Sequence, residues 1–249
     1  MELQNNERID YVNDKLSLIQ KTDGLTFGTD ALLLAGYING KYKSGVELGG
    51  GSGIISMLLL TREKVAKVDC IEVQGEYAEL IAKNADLNSL SERLRAVHAD
   101  VREYKAEGEC DLVFTNPPYM TATSGAHNER TAKTVARHEI FGDIREFCHA
   151  GARLLKFGGV FAAVYRPDRL IDLVSAMRDE GIEPKRMTLV YADTAAEPSM
   201  VLIEGKKGGK SGLLLTKPLI IYEDGGHKEY GEDMCYIMDN GSFPPEYKR

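Results

Sequence analysis

The sequence lacks any apolar run long enough to span a membrane, so we expect no transmembrane helix and no membrane partner. Its first residues, Met1-Glu2-Leu3-Gln4, are polar and acidic and do not follow the pattern of a signal peptide. Both absences predict a cytoplasmic protein.

Cysteine pairs and histidine clusters of the kind that bind metals are also missing. The four cysteines, Cys70, Cys110, Cys148 and Cys235, are widely spaced, and none belongs to a Cys-x-x-Cys pair. The five histidines show no metal-ligand spacing. We therefore expect reduced thiols and no bound metal.

An excess of positive charge is the third absence, since the formal net charge is −7. This excludes a protein that coats nucleic acid by bulk electrostatics, although it permits a local basic face. The chain has no internal repeat, and 249 residues predict one large α/β domain or one domain with an appendage. We expect a hairpin and a covering helix in 1–40, the main domain in 41–205, and a basic loop with C-terminal strands packed on it in 206–249. The oligomeric state is left open, with a monomer favoured.

The segment that begins at Asn116 has the clearest chemical pattern in the chain. Residues 111–115 predict a buried strand, and Asn116-Pro117-Pro118-Tyr119 should end it at the carboxyl edge of a sheet, where ligands bind in open α/β folds. The side-chain oxygen of Asn116 and the carbonyl of Pro117 can each accept one N–H of a planar amino or amide nitrogen. Those bonds favour a pyramidal nitrogen whose lone pair points at an incoming methyl group. Tyr119 offers a flat face for stacking; the alternative interpretation is a proline-rich turn without chemistry.

A glycine-rich turn precedes that motif and predicts a cofactor site. Residues 45–48 predict a strand that runs into Gly49-Gly50-Gly51-Ser52-Gly53 and then an apolar helix. The next strand ends in Glu72, 19 residues after Gly53, where an acid can accept both hydroxyls of a ribose. The turn and the acid together predict a cofactor that contains a nucleoside.

The spacing of the glycines separates two kinds of cofactor. The dinucleotide pattern G-x-G-x-x-G requires a small sixth residue, but counting from Gly49 or Gly51 places Ile54 or Ser56 there. The pattern that fits is Glu-x-Gly-x-Gly-x-Gly, starting at Glu47. An acid beside the glycines is unsuited to anionic pyrophosphate and suits a cationic amino-acid end, such as that of S-adenosylmethionine.

Two further regions are candidates for contacts with ligands. Asp100 follows a predicted strand at 94–98 and can accept from the exocyclic amine of an adenine, or it is a solvated loop carboxylate; both interpretations stay open. The long polar connection 120–141 is predicted to grip the substrate. Its candidate contacts are Arg130, Lys133, Arg137 and His138, of which the three long basic side chains would meet phosphates. A solvated charged loop is the alternative for each.

Taken in order, these motifs resemble the class I S-adenosylmethionine-dependent methyltransferases that act on amino nitrogens. More narrowly, the chain resembles the bacterial tRNA1(Val) adenine-37 N6-methyltransferase family. The narrower resemblance depends on four segments: Phe27-Gly28-Thr29-Asp30-Ala31, Asn116 to Tyr119, Ala136-Arg137-His138-Glu139 and Arg166-Pro167. One departure is Gly50, where similar proteins often carry Thr, Ser or Cys.

The resemblance implies a Rossmann-like α/β fold with a seven-stranded, mostly parallel sheet, a terminal antiparallel strand and helices on both faces. It implies that S-adenosylmethionine is the cofactor and S-adenosylhomocysteine the product. The implied cofactor residues are Thr29, Asp30, Glu47, Gly49, Gly51, Gly53, Glu72, Asp100 and Asn116. Asn116, Pro117, Pro118 and Tyr119 are the implied catalytic residues, and tRNA is the implied partner.

Other functions share parts of this pattern. A protein-glutamine N5-methyltransferase would carry a sizeable helical domain before the glycine turn, but only about forty residues precede it here. A DNA adenine methyltransferase would need a target-reading domain, and none is visible. A binding protein without chemistry has no reason to keep the geometry of Asn116 to Tyr119.

Overall fold

The structure is a computed structural model that describes residues 3–24, 27–117 and 143–248. A large sheet forms its centre, and a two-stranded hairpin stands apart from that sheet. The strands are β1 (Glu7–Asn13), β2 (Leu16–Lys21), β3 (Tyr42–Leu48), β4 (Val65–Glu72), β5 (Leu94–His98), β6 (Cys110–Thr115), β7 (Leu155–Tyr165), β8 (Ile182–Tyr191), β9 (Pro198–Lys207), β10 (Leu214–Leu215) and β11 (Leu219–Ile220). The helices are α1 (Thr29–Tyr37), α2 (Ile54–Thr61), α3 (Gly75–Leu87), α4 (Ile144–Leu154), α5 (Leu170–Asp179) and α6 (Glu232–Asn240).

The central sheet has the strand order β10-β8-β9-β7-β6-β3-β4-β5, and β11 also pairs with β8. Its strands are parallel except β9, which runs antiparallel between β7 and β8. The expected α/β architecture is confirmed. The strand count is corrected, because the described residues form nine strands in this sheet: seven longer ones and the two-residue β10 and β11. Strand β9 continues to Lys207, so the basic loop begins later than expected.

Alternate residues of the central strands enter two separate cores. On β6, Leu112 and Phe114 pack with α1, α2 and α3, whereas Val113 packs with α4 and α5 on the opposite face. All three side chains are fully buried. Burial on both faces explains why this strand has a continuous apolar sequence, and it confirms helices on both faces of the sheet.

The N-terminal hairpin forms as expected, with β1 and β2 antiparallel. Two asparagines one helical turn apart hold it. Asn84, on α3, exchanges hydrogen bonds with the backbone of Ile19, and Asn88, directly after α3, does so with that of Ser17. The Nδ2 of Asn84 also donates to the carbonyl of Ser52 in the glycine turn, at 3.0 Å. The hairpin is thereby connected to the predicted cofactor turn.

The C-terminal segment, to which the sequence assigned no role, packs on the carboxyl end of α1. Phe243 lies edge-to-face against Tyr37, with ring centroids 5.2 Å apart, and also against Tyr247. Arg186 stacks over the ring of Tyr37 and donates to the backbone carbonyls of Tyr37 and Tyr247. Lys64 donates to three carbonyls at the end of α1. These contacts fix α1, whose amino end reaches the candidate site.

Several classes of feature are absent from the described residues. No helix there is long and apolar enough to cross a membrane. Their histidines, cysteines and carboxylates form no group arranged to hold a metal ion. The four cysteines are free: Cys70, Cys110 and Cys148 are buried, and Cys235 is exposed.

Candidate active site

The predicted motifs meet at the carboxyl edge of the sheet, as the strand order requires. The hydroxyl of Thr115, at the end of β6, donates to the carbonyl of Leu48, at the end of β3, at 2.8 Å. The backbone N–H groups of Gly49 and Gly50 both donate to the carbonyl of Ile71 on β4, at 2.9 Å. The glycine turn, the end of β4 and Asn116 therefore lie side by side, although they are far apart in the sequence.

Asn116 has one half of its side-chain amide bonded, and the other half has no partner among the described residues. Its Nδ2 donates to Oδ2 of Asp30 at 2.8 Å. Since a carboxylate can only accept, this bond identifies which amide atom is the oxygen. That oxygen, Oδ1, is buried and has no hydrogen-bond partner in the described part of the chain. A buried acceptor without a donor is costly, and such atoms are typical of sites that receive a ligand.

Asp30 is positioned by the start of α1. The helix begins at Thr29, directly after Gly28, and Oδ1 of Asp30 accepts the N–H of Ala31 at 2.9 Å. The preceding segment is held from the hairpin, where Oε1 of Gln20 accepts the N–H of Phe27 at 2.8 Å. Asp30 is thus fixed by local bonds and presents its other oxygen to Asn116.

Three glycines in the turn have positive φ: Gly49 at 74°, Gly51 at 54° and Gly53 at 79°. Side chains other than glycine rarely adopt this conformation. Gly53 precedes α2 directly, so the free N–H groups of that helix face the turn. A β-carbon added at Gly51 would meet nothing within 4 Å, which shows open space above the turn.

Glu72 connects the end of β4 to both neighbouring turns. Its Oε2 accepts the N–H of Gly51 and its Oε1 accepts the N–H of Gln74, each at 2.9 Å. The residue is only 5% exposed. Oε1 also accepts a long bond from the side-chain amide of Gln74, at 3.4 Å, so among the described residues only Oε2 keeps a second lone pair open.

Glu47 lies beneath the same turn and is 1% exposed. Its Oε2 receives three donors: the backbone N–H and the hydroxyl of Ser56, in the first turn of α2, and the thiol of Cys70. Burial raises the pKa of Glu47 from 4.5 to about 7, although the bonds from Ser56 lower it. A nearby cation would restore the ionised form.

Gly50 is explained by its neighbour Cys70. A β-carbon at Gly50 would lie 2.2 Å from Sγ of Cys70 and 3.1 Å from Cδ1 of Ile81. The thiol occupies the space that a side chain at position 50 would need. The side chain of Cys70 therefore leaves no room at position 50 for the Thr, Ser or Cys that similar proteins often carry there.

Asp100 is already engaged by a cation. Its two oxygens accept from the side chain of Arg102, and Oδ1 also accepts the N–H of Arg102 at 2.9 Å. These bonds hold the pKa of Asp100 below its usual value. Any amine that donates to Asp100 must share its oxygens with Arg102, so the two interpretations made from the sequence both stay open.

Several expected site residues lie outside the described residues. They are Pro118, Tyr119, Arg130, Lys133, Arg137 and His138. Pro117 is described and is buried at the end of the motif. The structure thus brings Asp30, Glu47, Glu72 and Asn116 to one edge of the sheet, together with the three glycines.

Sequence reasoning missed two contributions to this site. It did not find Ser56 and Cys70 as the partners of Glu47, because nothing in a strand pattern shows which side chains meet beneath a turn. It also did not assign Asp30 to Asn116, a contact between residues 86 positions apart. The only signal for that contact was the Phe-Gly-Thr-Asp segment, which was noticed through resemblance alone.

Comparison with known proteins gives a family for this arrangement. A family model described as the methyltransferase small domain matches residues 21–167. A tRNA1(Val) (adenine(37)-N6)-methyltransferase from Phocaeicola vulgatus is 24% identical over 72% of this chain and 76% of its own length. A protein with the same name from a Flavobacteriaceae bacterium is 27% identical over 72% of this chain and 81% of its own length.

Solved structures share the fold. The crystal structure of a predicted O-methyltransferase from Agrobacterium tumefaciens superposes with a TM-score of 0.68 at 22% identity. The match covers 85% of this chain and 96% of that protein. At this identity the likeness extends to the fold only.

Proposed function

Because this chain belongs to the methyltransferase small domain family, we propose that it transfers a methyl group from S-adenosylmethionine to N6 of an adenine in tRNA. The names of its curated relatives support adenine 37 of tRNA1(Val) as the target. The single observation that carries the proposal is the buried Oδ1 of Asn116, which has no hydrogen-bond partner among the residues that the structure describes. It is the acceptor that an amino nitrogen needs at the point of transfer.

In the proposed reaction, Asn116 and Pro117 hold the target amine. Oδ1 of Asn116 accepts one N–H and the carbonyl of Pro117 accepts the other, which draws the lone pair of the nitrogen out of conjugation with the ring. Asp30 prevents the amide of Asn116 from rotating, since only Nδ2 can donate to it. S-adenosylmethionine, held at the glycine turn, would supply the methyl group and would leave as S-adenosylhomocysteine. The methylated nitrogen then loses its extra proton to water, so no side-chain base is required.

The residues of the turn fit the cofactor, which when bound supplies an electrophilic methyl group. Glu72 would accept one ribose hydroxyl at Oε2 and the other at Oε1, where the hydroxyl would replace the long bond from the Gln74 side chain. Glu47 would face the cationic amino end. The open space above Gly51 would admit the ligand close to the main chain. The site would be completed by Gly49, Gly53, Thr29 and Asp100. Of these, Asp100 would lie beside the adenine of the cofactor.

The proposed target base must leave its stack to reach Asn116. An adenine in a single-stranded RNA loop pays a smaller unstacking cost than a base in a duplex. Pro118, Tyr119 and the cationic residues Arg130, Lys133, Arg137 and His138 stay predictions for contacts with the base and phosphates.

The experiment is transfer of label from S-adenosylmethionine to total bacterial tRNA, followed by digestion to nucleosides. Label in N6-methyladenosine is the expected result. Label in a protein fraction instead would favour a glutamine N5-methyltransferase, which the same amide acceptor would serve. No label in either fraction, with the cofactor bound, would contradict the proposed reaction.

Replacing Gly51 by alanine is expected to weaken binding of S-adenosylmethionine at least about tenfold, because the methyl group enters the open space above the turn. Gly181 provides a matched control: it has φ of +71°, and a β-carbon there also meets nothing within 4 Å. It lies before β8, at the opposite edge of the sheet. Both alanine variants should lose roughly 1–2 kcal/mol of stability from the left-handed backbone. Calorimetric titration checks the difference, and equal affinities in the two variants would contradict the placement of the ligand.

Replacing Glu47 by glutamine is expected to stabilise the protein at high pH and to weaken cofactor binding. The rise of the Glu47 pKa from 4.5 to about 7 corresponds to about 3 kcal/mol. Because the folded-state pKa is raised, this carboxyl favours folding fully below pH 4.5, and the contribution is lost as pH rises through about 7. Glutamine avoids the loss, so the variant should melt roughly 6 °C or more above the native protein at pH 8.

The measurement is thermal unfolding by circular dichroism between pH 5.5 and pH 8.5, with calorimetric titration of S-adenosylmethionine at pH 8. The difference in melting temperature should grow with pH, and the affinity should fall about tenfold as the charged partner of the amine is lost. A difference in melting temperature that does not depend on pH would show that Glu47 is ionised throughout this range.

A further inference from the structure

Three aromatic rings near the C-terminus form an exposed stack that the proposed reaction does not use. The ring of His227 lies 4.8 Å from that of Tyr222 with an interplanar angle of 17°. The ring of Tyr230 lies 5.2 Å from Tyr222 at 19°. The side chain of His227 is 48% exposed and Tyr230 is 43% exposed. We call Tyr222, His227 and Tyr230 the aromatic stack.

A short hairpin holds the aromatic stack in place. Tyr222 and Tyr230 face each other as an antiparallel bridge, and the N–H of Gly231 donates to the carbonyl of Ile221 at 2.9 Å. Cross-strand aromatic pairs of this kind stabilise a hairpin. The rings are therefore arranged before any ligand arrives.

The turn of the hairpin is fixed by two carboxylates. Oδ1 of Asp224 accepts the N–H of Lys228 at 3.1 Å, and Asp193 accepts from the ring of His227 at 3.0 Å. Asp193 thus holds the edge of the His227 imidazole, while the face of the imidazole stacks on Tyr222. A surface ordered in advance loses little conformational entropy when it binds.

The aromatic stack lies at the same edge of the sheet as Asn116. The N–H groups of Ile221 and Tyr222 donate to the carbonyls of Tyr191 and Ala192, at and just beyond the carboxyl end of β8. Strand β8 runs parallel to β7 and β6, because β9 is antiparallel to both of its neighbours. From β6 to β11 there are four strand spacings, so the stack lies about 19 Å along the edge from Asn116.

A cleft of about 420 Å³ opens on this edge between the two places. It is formed where β7 ends and β9 begins, and its lining residues are Arg166, Pro167, Asp168, Glu197, Pro198 and Ser199. The cleft thus lies along the edge at strand positions between Asn116 and the aromatic stack.

We propose that the aromatic stack binds the face of an unpaired base in the substrate RNA, at a distance from the target adenine. This inference depends on the proposed function and adds a second contact for the same substrate. Single-stranded bases stack readily on aromatic side chains, whichever base is present. A stacked strand rises about 3.4 Å per nucleotide, so the contacted base lies about six nucleotides or fewer from the target.

The charges near the aromatic stack favour a base over a phosphate. Asp193 contacts His227, and the hairpin carries Glu223, Asp224 and Glu229 against one lysine, Lys228. This excess of negative charge would repel the backbone of the RNA. The same carboxylates can accept hydrogen bonds from the exocyclic amines of adenine, guanine or cytosine. We therefore expect the rings to stack on the face of a base and the carboxylates to accept hydrogen bonds from its edge, with the phosphates directed away from the aromatic stack.

The test uses the absence of tryptophan from the chain. Tyr230→Trp introduces a single indole that preserves a ring in the stack, and its fluorescence reports on stacking. Tyr236→Trp is the matched control, because Tyr236 is 37% exposed on α6 and lies outside the stack. Titration with total bacterial tRNA should quench the indole at position 230 and leave that at position 236 nearly unchanged.

A second variant, Tyr230→Leu, removes the ring and keeps an apolar side chain. It should raise KM for tRNA about tenfold, within the range for loss of one stacked base, and leave kcat and the affinity for S-adenosylmethionine unchanged. Circular dichroism shows whether the variant is folded.

The outcomes separate this inference from the proposed function. Transfer of methyl to tRNA by the native protein, without quenching at position 230 and with an unchanged KM in Tyr230→Leu, would overturn the aromatic stack as an RNA site. Absence of transfer to tRNA would overturn the proposed reaction. If no methyl is transferred to tRNA but the indole at position 230 is quenched, the aromatic stack still contacts RNA. If neither transfer nor quenching is seen, the RNA contact is overturned together with the reaction.

Discussion

Replacing Asn116 by alanine is expected to lower kcat for methyl transfer at least about 100-fold, with the affinity for S-adenosylmethionine nearly unchanged. The variant loses Oδ1, the buried acceptor that has no partner among the described residues. Removing one fixed dipole aimed at a transition state costs about 10²–10³ in kcat. Steady-state kinetics with labelled cofactor measures the loss, and calorimetric titration measures the affinity. Full activity would show that this acceptor takes no part in transfer.

Asp30→Asn is the companion variant that tests how Asn116 is oriented. Asparagine at position 30 can both donate and accept, so the amide of Asn116 would no longer be held with Oδ1 toward the substrate. We expect kcat to fall about tenfold while KM for tRNA stays within twofold. A loss of kcat that is smaller than that of Asn116→Ala would indicate that Asp30 positions Asn116. A merely structural role of Asp30 would instead lower the melting temperature and leave kcat unchanged.

The second large effect is expected for Glu72→Ala, which should weaken binding of S-adenosylmethionine about 100-fold or more. Each hydrogen bond to a charged group contributes about 1.5–3 kcal/mol, and two ribose bonds would be lost. The same change removes the acceptor of the Gly51 and Gln74 N–H groups, so the glycine turn also loses its support. Calorimetric titration of the cofactor is the measurement.

Two variants control for loss of charge and of support. Glu72→Gln keeps the size of the side chain and one acceptor oxygen, and should lose about tenfold in affinity. Glu79→Ala removes an exposed carboxylate from the neighbouring helix α3 and should bind the cofactor normally. An affinity of Glu72→Ala equal to that of the native protein would mean that the ribose lies elsewhere.

The regular elements of the fold were largely predictable from the sequence. The strands that end at Glu72, His98 and Thr115 were expected from their apolar runs, and the helix before Asn88 from its apolar stripe. These patterns are local, because burial of one stripe or run is decided within a few turns of chain. C-terminal strands were expected in 206–249, but the pairing of the two-residue β10 and β11 with the central sheet was not. Two residues carry no periodicity, and only pairing with β8 makes them strands.

The residues of the candidate site could be predicted from the sequence, but their contacts could be predicted only in part. Asn116, Glu72 and the glycines were identified because each motif has a chemical meaning at the end of a strand. The state of Glu47 was not predictable, since its pKa of about 7 results from burial beneath the turn. The engagement of Asp100 by Arg102 depends in the same way on side-chain positions that spacing does not determine.

The sequence by itself determined the family resemblance, the βα order and the residue types that carry the proposed chemistry, since all of these are contained in short segments. Only the tertiary structure decided how the segments meet. It paired Asp30 with Asn116, filled the space beside Gly50 with Cys70, and brought the aromatic stack to the reacting edge. The physical reason is that strand order and register, which depend on the packing of the whole chain, set which distant side chains lie within hydrogen-bond reach.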